Sequence, residues 1–268
     1  MMIRLATQAD LEAMTAVLVA ASPLDPVYPY RFPDRDLYPA EFAALCRQKC
    51  AEYLETSTVV VCELPVNAYS TATEVVAFSV WDMPAAAQPA KPRRRSSVEP
   101  SSPTSPTFAR SPTTIGSATR QSAFRAALAQ HKHDLFDSRY RGEHVFLRIL
   151  LTHPRYQRRG AGTALTLWGI ERARTLGCHT TVFASPMGLR LYRRLGFREV
   201  GRCSVHVDGE TESLELPALA KSPGPTGAMR EAAAEAVVSK LEGGLVCGRR
   251  VGECTAVGGW EGRGAVCA

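Results

Sequence analysis

Residues 147–163 read LRILLTHPRYQRRGAGT, and this stretch decides the fold. An apolar run stops at Pro154, and the basic glycine turn at 157–162 then opens a helical pattern. A helix N-terminus presents unpaired backbone N–H groups, and the helix dipole favours negative charge there. Glycines let the backbone approach a ligand closely, and Arg158 and Arg159 add charge that phosphates can neutralise. The order of strand, basic turn and helix therefore predicts a site for a phosphorylated cofactor.

Two common phosphate-binding motifs fail at specific positions. A Walker A loop needs Gly-Lys-Ser/Thr after its glycines, but Thr163 and Ala164 follow Gly162. A dinucleotide fingerprint needs a small residue where Leu165 stands, and it needs an Asp or Glu about twenty residues further on, which is missing. Both motifs are therefore excluded as the explanation of this turn.

Residues 157–162 resemble the Q/R-x-x-G-x-G/A signature of the GNAT superfamily of acyl-CoA N-acyltransferases, whose members hold the coenzyme A pyrophosphate in this loop. Residues 184–197 read ASPMGLRLYRRLGF and resemble the second signature of that family, which ends in L-Y-x-x-x-G-F. The two signatures have the family's order and separation. The similarity covers residues 3–216 apart from an insertion, and it is greatest to fungal members. The chain is therefore identified as a member of this superfamily.

The resemblance implies an α/β (α+β) fold with a mixed, splayed β-sheet of about six to seven strands flanked by helices. We expect the acetyltransferase domain at 1–219, with an insertion at 84–119 and a tail at 220–268. Residues 84–114 contain seven prolines and ten serines or threonines, which predicts disorder because such a segment buries too little apolar surface. The tail is glycine-rich and aperiodic from 243 onward, and we expect it to be disordered as well.

Local patterns place the main elements. The run at 145–151 is nearly all apolar, as in a strand that is covered on both faces. Five prolines predict a loop at 22–39. We further expect helices at 121–136, 163–176 and 186–195, a strand at 180–184, and a closing strand pair at 197–201 and 204–216.

Bulk composition excludes several functions. The net charge of +6 comes partly from the low-complexity stretch, so we expect no direct nucleic-acid partner. The eight cysteines show no repeated short spacing, which favours reduced thiols and no metal. No signal peptide and no run long enough to span a membrane is present, so we expect no membrane partner. The expected location is cytoplasmic or nuclear, without secretion, and the oligomeric state stays open.

The resemblance implies that acetyl-CoA is the co-substrate. Backbone groups at the end of the core strand would contact its acetyl and pantetheine units, and main-chain N–H groups of the turn would hold its pyrophosphate. Ser185 stands where many relatives have an Asn that contacts the cofactor arm. The cofactor-binding residues expected on this basis are Leu150, Leu151, Thr152, Gln157, Arg158, Arg159, Gly160, Ala161, Gly162, Thr163 and Ser185. The alternative is that 157–163 is an ordinary basic helix start.

Catalysis needs an acid for the departing thiolate and a base for the acceptor ammonium. The resemblance assigns the acid to Tyr192, the tyrosine of the second signature, although a tyrosine here can also simply pack on the core. Histone-modifying relatives have a glutamate eleven residues before the signature Gln, where this chain has Phe146. His144 lies on the same strand face and Glu143 is adjacent, so these two are the candidate bases.

The acceptor is expected over the loop after the first helix. Asp25 and four further residues there could line a pocket: Tyr28, Tyr30, Arg31 and Phe32. A small-molecule amine, an amino acid, an antibiotic, a peptide N-terminus or a lysine all fit. The leading function is an acetyl-CoA-dependent N-acetyltransferase. The alternatives are a non-catalytic acyl-CoA-binding sensor or interaction module, and an acyltransferase that uses another acyl-CoA or a hydroxyl acceptor.

Overall fold

The computed structural model describes residues 1–66, 71–84 and 116–224, and seven strands in these ranges form one mixed sheet. The strands are β1 (Met2–Leu5), β2 (Thr58–Pro65), β3 (Thr73–Asp82), β4 (His144–Thr152), β5 (His179–Phe183), β6 (Arg198–Val205) and β7 (Leu214–Lys221). Their order is β1-β2-β3-β4-β5-β7-β6. Neighbouring strands are antiparallel except β4 and β5, which are parallel. The prediction of a mixed sheet of six to seven strands is confirmed.

Helices cover both faces of this sheet. They are α1 (Leu11–Ala21), α2 (Val27–Arg31), α3 (Pro39–Thr56), α4 (Ala118–Lys132), α5 (Ser138–Tyr140), α6 (Ala161–Thr175) and α7 (Pro186–Arg194). Successive side chains of a strand point to opposite faces. In β2, Val59 and Val61 accordingly pack with α1 and α3, whereas Val60 and Cys62 pack with α6 and Tyr192 of α7.

The sheet splays between its two parallel strands. Pairing of β4 with β5 stops at Leu147 and Val182, although β4 continues to Thr152 and stays paired with β3. The β3–β4 register skips Arg148, which is therefore a bulged residue. Bulges bend a strand and re-aim its side chains. The result is an opening at the carboxyl ends of β4 and β5, as the resemblance implies.

An unusually placed helical segment precedes β4. Helix α4 continues through a π-helical turn (His133–Asp137) into α5. Phe124 of α4 packs with Tyr30 and with β6 and β7, while the fully buried Phe136 packs against Phe146 and Ala218. This segment therefore covers the β5–β7–β6 side of the sheet. Helix α4 begins at Ala118, inside the predicted insertion of 84–119, most of which lies outside the described residues.

The sequence-based element boundaries are wrong in two places. The predicted loop at 22–39 contains a 3₁₀ turn (Ser22–Leu24) and α2. The closing strands are β6 and β7, not 197–201 and 204–216, because a turn with Gly209 at φ +83° separates them. β7 also extends beyond the predicted domain boundary at residue 219. The predicted tail from 225 onward lies outside the described residues.

Within the described residues, no helix is long and apolar enough to cross a membrane. The five cysteines in these ranges are all free and buried. Burial raises the pKa of the Cys46 thiol to about 12 and that of Cys50 to about 11, so both stay protonated near neutral pH. Their one-turn spacing in α3 thus reflects packing against α1 and the sheet.

Candidate active site

The turn between β4 and α6 contains two residues with positive φ, Arg158 and Gly160. Gly160, the N-cap residue of α6, has φ +90°, a region that favours glycine. Arg158 has φ +64°, which costs a non-glycine residue about 1–2 kcal/mol. Local strain of this kind concentrates at ligand-binding turns.

Six consecutive backbone N–H groups of this turn have no hydrogen-bond acceptor among the described residues. The first backbone bond of α6 runs from the Ala164 N–H to the Gly160 carbonyl, at 2.9 Å. Among the described residues, no acceptor engages the N–H groups of 158–163. The N-cap residue of α6 is Gly160, which has no side chain that could accept a hydrogen bond from these N–H groups. Arg158 and Arg159 are exposed beside these amides, so the turn fits a diphosphate.

Gly162 lies where this turn meets the opening of the sheet. A Cβ atom on Gly162 would lie 3.6 Å from Leu191 Cδ2, 3.8 Å from Leu150 Cδ2 and 3.8 Å from Thr152 Oγ1. These are ordinary van der Waals distances, so the fold itself tolerates alanine at this position. A requirement for glycine here would come from a bound ligand.

A cavity of about 630 Å3 occupies the opening between β4 and β5. Leu150, Leu151 and Ser185 line it at the cofactor side, and Tyr192 lines it from α7. Outside this cavity wall lie Thr152, the last residue of β4, and the turn residues that follow the strand: Gln157, Arg158, Arg159, Gly160, Ala161, Gly162 and Thr163. The predicted cofactor residues thus form one continuous track from the cavity to the amides of α6.

Tyr192 is buried, with only 5% of its surface exposed, and its ring packs edge-on against Phe197 at 5.6 Å between centroids. Burial raises the pKa of the Tyr192 phenol well above its usual range, and the nearby Asp25 carboxylate raises it further. The phenol therefore stays protonated near neutral pH. Tyr192 also lines the cavity.

The two predicted bases do not line the cavity. The His144 ring is almost fully buried and lies 2.7 Å from Thr181 Oγ1 through Nδ1 and 2.7 Å from Asp137 Oδ1 through Nε2. The carboxylate can only accept, so Nε2 donates and Nδ1 accepts from the hydroxyl. Burial lowers the pKa of His144. Glu143 is exposed, outside the cavity wall.

Three of the four predicted acceptor residues line the cavity: Tyr28, Arg31 and Phe32, together with Asp25. Tyr30 instead packs in the cluster with Phe124, beneath the Arg120 guanidinium at 4.9 Å from its ring centroid. Alternate residues of a short helix point in different directions, which explains why Tyr30 leaves the wall that Tyr28 and Arg31 form.

Sequence reasoning missed the walls that α3, α4 and β4 contribute. These lining residues include Lys49, Glu52, Tyr53, Gln121, Phe124, Arg125 and Arg148. The sequence could have indicated Arg148 as a cavity residue, since it is the one charged residue in the apolar run at 145–151. The α4 residues carried no such indication, because their position depends on how the segment before β4 crosses the sheet. No cluster of three potential metal ligands occurs within the described ranges.

The comparisons with known proteins agree with this architecture. The model of the acetyltransferase (GNAT) family matches residues 123–197, from α4 to the end of the second signature. A protein named acetyltransferase from the fungus Stachybotrys chartarum is 26% identical over 220 residues, which cover 79% of this chain and 86% of that protein.

Solved structures show the same fold. A Corynebacterium glutamicum structure, described as histone acetyltransferase HPA2 and related acetyltransferase, has a TM-score of 0.50 and 22% identity, covering 83% of this chain and 96% of that one. At that identity the likeness extends to the fold alone. The chain is thus similar to the acetyltransferase (GNAT) family over residues 123–197, which include the amide turn and both signatures, and its splayed sheet has the fold of the solved structure.

Proposed function

We propose that this chain is an N-acetyltransferase that moves an acetyl group from acetyl-CoA to a primary amine by direct attack. The observation that carries the proposal is the position of Tyr192. Its buried, protonated phenol lines the cavity at the splay, at the end of the track that leads from the six unpaired amides. The acceptor is a small-molecule amine, a peptide N-terminus or a lysine.

The chain's own groups suit each part of acetyl-CoA. The amides of 158–163 would hold the diphosphate, with Arg158 and Arg159 adding charge. Residues 149–152 of β4 lack a β5 partner, so their backbone groups are available to an extended pantetheine arm. Bound in this way, acetyl-CoA supplies a thioester carbonyl for attack. Leu150 and Leu151 provide an apolar surface along that arm.

Two side chains would move the protons. As the amine nitrogen forms its bond to the carbonyl carbon and the carbon–sulfur bond breaks, Tyr192 Oη donates a proton to the sulfur. The ammonium proton must leave before the attack, and we assign its acceptor to Asp25, directly or through water. Asp25 lines the cavity and lies close enough to Tyr192 to raise the pKa of its phenol. His144 is not assigned this role, because both of its ring nitrogens are engaged away from the cavity.

A thiol-release assay with acetyl-CoA and pools of amines tests this function. We expect release of CoA that depends on an added amine, together with an N-acetylated product detected by mass spectrometry. Acetyl-CoA binding without release for any pool would contradict the proposal and favour the sensor alternative. Comparing acetyl-, propionyl- and succinyl-CoA, and amines with alcohols, would separate the remaining acyltransferase alternative.

A further inference from the structure

Arg31 of α2 is a cavity-lining cation that lacks a counter-charge. Its guanidinium carbon lies 4.4 Å from the centroid of the Phe124 ring and 5.0 Å from that of the Phe32 ring. Its Nε atom is buried without a hydrogen-bond partner. Desolvation lowers the pKa of Arg31, and no carboxylate of the described residues is among the groups that act on it. The site thus holds a partly buried positive charge that no carboxylate of the described residues neutralises.

Such an arrangement is costly unless a ligand completes it. An unpaired buried donor and an unpaired buried charge both destabilise a folded protein. A guanidinium presents its N–H donors in a planar fork, which suits a planar or tetrahedral oxyanion. Arg125 of α4 acts on Arg31 as a like charge and lines the same cavity. Two neighbouring cations raise the attraction for an anion.

The other cations of the described cavity wall are already paired. Lys49 Nζ lies 2.6 Å from Glu52, Lys132 Nζ lies 2.7 Å from Asp137, and Arg148 Nη1 lies 3.5 Å from Asp82. These pairs leave Arg31 and Arg125 as the wall's unneutralised cations. Among the described lining residues, Asp25 is the acid without an ion pair, and it lies on the Tyr192 side. The cavity wall therefore carries unpaired positive charge at Arg31 and Arg125 and unpaired negative charge at Asp25.

We infer that the acceptor is an amine that also carries an anionic oxyacid group, either a carboxylate or a phosphate. Arg31 and Arg125 bind this group, and Asp25 receives the ammonium beside Tyr192. The inference rests on the acetyltransferase function proposed above and adds the class of acceptor to it. A cavity of about 630 Å3 accommodates a small zwitterion of this kind. Helix α4, which the segment before β4 supplies, thereby becomes a specificity-determining part of the site.

Matched acceptor pairs test the inference on the full chain. The pairs are L-amino acids against their amides, β-alanine against propylamine, and phosphoethanolamine against ethanolamine. We expect the anionic member of a pair to have a KM at least tenfold lower, since a charge-assisted hydrogen bond contributes about tenfold to a hundredfold in binding. The first two pairs detect a carboxylate acceptor and the third a phosphate acceptor. Equal or better use of the neutral members would overturn the inference while leaving the proposed function intact.

Charge-removing variants provide the second readout. Arg125→Gln lies on an exposed position, and Arg31→Gln removes the buried cation. Each should raise the KM for the anionic acceptor about tenfold or more with kcat changed little, and Arg31→Lys should restore part of the affinity. Arg47→Gln is the matched control, because Arg47 pairs with Glu12 on the surface, away from the cavity wall. An unchanged preference in both Arg31→Gln and Arg125→Gln would contradict the inference.

If the protein acetylates no acceptor of the panel, calorimetric titration of the same pairs measures directly whether the anionic member binds more tightly than the neutral one. Tighter binding of the anionic members, lost in Arg125→Gln, would support the anion site and contradict the proposed acetyl transfer. Equal binding of both members, or binding of neither, would count against the anion site itself.

Discussion

A Cβ atom on Gly188 would lie 2.6 Å from Cε2 and 3.3 Å from Oη of Tyr192. The two residues are one turn apart in α7, so the tyrosine ring lies directly over the bare backbone of Gly188. The ring therefore packs closely against the helix backbone at Gly188. Gly188 is thus a positioning residue for Tyr192, and its role requires the absence of a side chain.

Gly188→Ala should lower activity without destabilising the protein. The added methyl displaces the Tyr192 ring, and a misplaced acid loses part of the rate gain of about a hundredfold to ten-thousandfold that general acid catalysis provides. Alanine meanwhile favours helix by about 1 kcal/mol over glycine, which offsets the strain of moving the ring. We expect kcat to fall about tenfold or more, with the urea midpoint almost unchanged. Steady-state kinetics beside urea denaturation would check this, and wild-type turnover in the variant would remove Gly188 from the positioning role.

Tyr192→Phe should lower kcat about a hundredfold and leave acetyl-CoA affinity nearly intact. Because burial raises the phenol pKa above its usual range, the wild-type enzyme keeps its proton donor as the pH rises. The rate should therefore increase with pH as the acceptor loses its proton, without a downturn from Tyr192 below pH of about 10. Rate profiles of both proteins from pH 6 to 10 would test this. Unchanged turnover of Tyr192→Phe at all pH values would exclude the phenol from the mechanism.

Gly160→Ala and Gly177→Ala form a matched pair. Both glycines have positive φ, +90° and +68°, so alanine at either should cost about 1 kcal/mol of unfolding free energy. Gly160 belongs to the cofactor turn, whereas a Cβ on Gly177 would meet nothing within 4 Å. We expect Gly160→Ala alone to weaken acetyl-CoA binding, by about tenfold or more, in calorimetric titrations. Equal loss of affinity in both variants would show that the effect arises from general destabilisation.

The free energy of unfolding should fall as the pH drops below 6.5, because of His144. Its pKa in the folded protein is lower than the usual 6.5, so the unfolded chain takes up a proton that the folded chain does not. The stabilisation is complete above pH 6.5 and is lost as the pH falls toward the lowered value. Asp137 has a lowered pKa and stays ionised in this range.

Urea denaturation of wild type and His144→Gln at pH 7.5 and 5.5 measures this dependence. The variant should be less stable at pH 7.5 but should lose less stability on acidification. Part of the slope should remain, because the pKa of His179 is lowered by burial too. Identical slopes for the two proteins would show that His144 does not titrate as its burial requires.

The sequence predicts those parts of the fold that depend on neighbours in the chain. The order of β4, turn and α6 follows from an apolar run, Pro154 and the glycines, and all lie within a few residues. The Asp208-Gly209 pair is a local turn signal, and it marks the turn that separates β6 from β7. Helix α2 was hidden by prolines at 26 and 29, which are tolerated at the start of a short helix.

The parts that sequence could not give depend on distant contacts. The strand pattern placed His144 on a suitable face, but its hydrogen bonds to Asp137 and Thr181 come from elements that only the tertiary fold brings together. The same holds for Arg31, whose lack of a counter-charge depends on the packing of Phe124 from α4. The class of acceptor can therefore be inferred only from the folded structure, in which the residues of the cavity wall come together.

Calorimetric titration of acetyl-CoA into the wild-type chain and Gly162→Ala tests the central claim most directly. Alanine fits at position 162 in the ligand-free fold, with its nearest neighbour 3.6 Å away, so any loss must arise from the ligand. We predict one acetyl-CoA bound per wild-type chain, and affinity reduced about tenfold or more in the variant at unchanged stability. Absence of binding to the wild-type chain, or equal affinity in both proteins, would contradict the assignment of the amide turn.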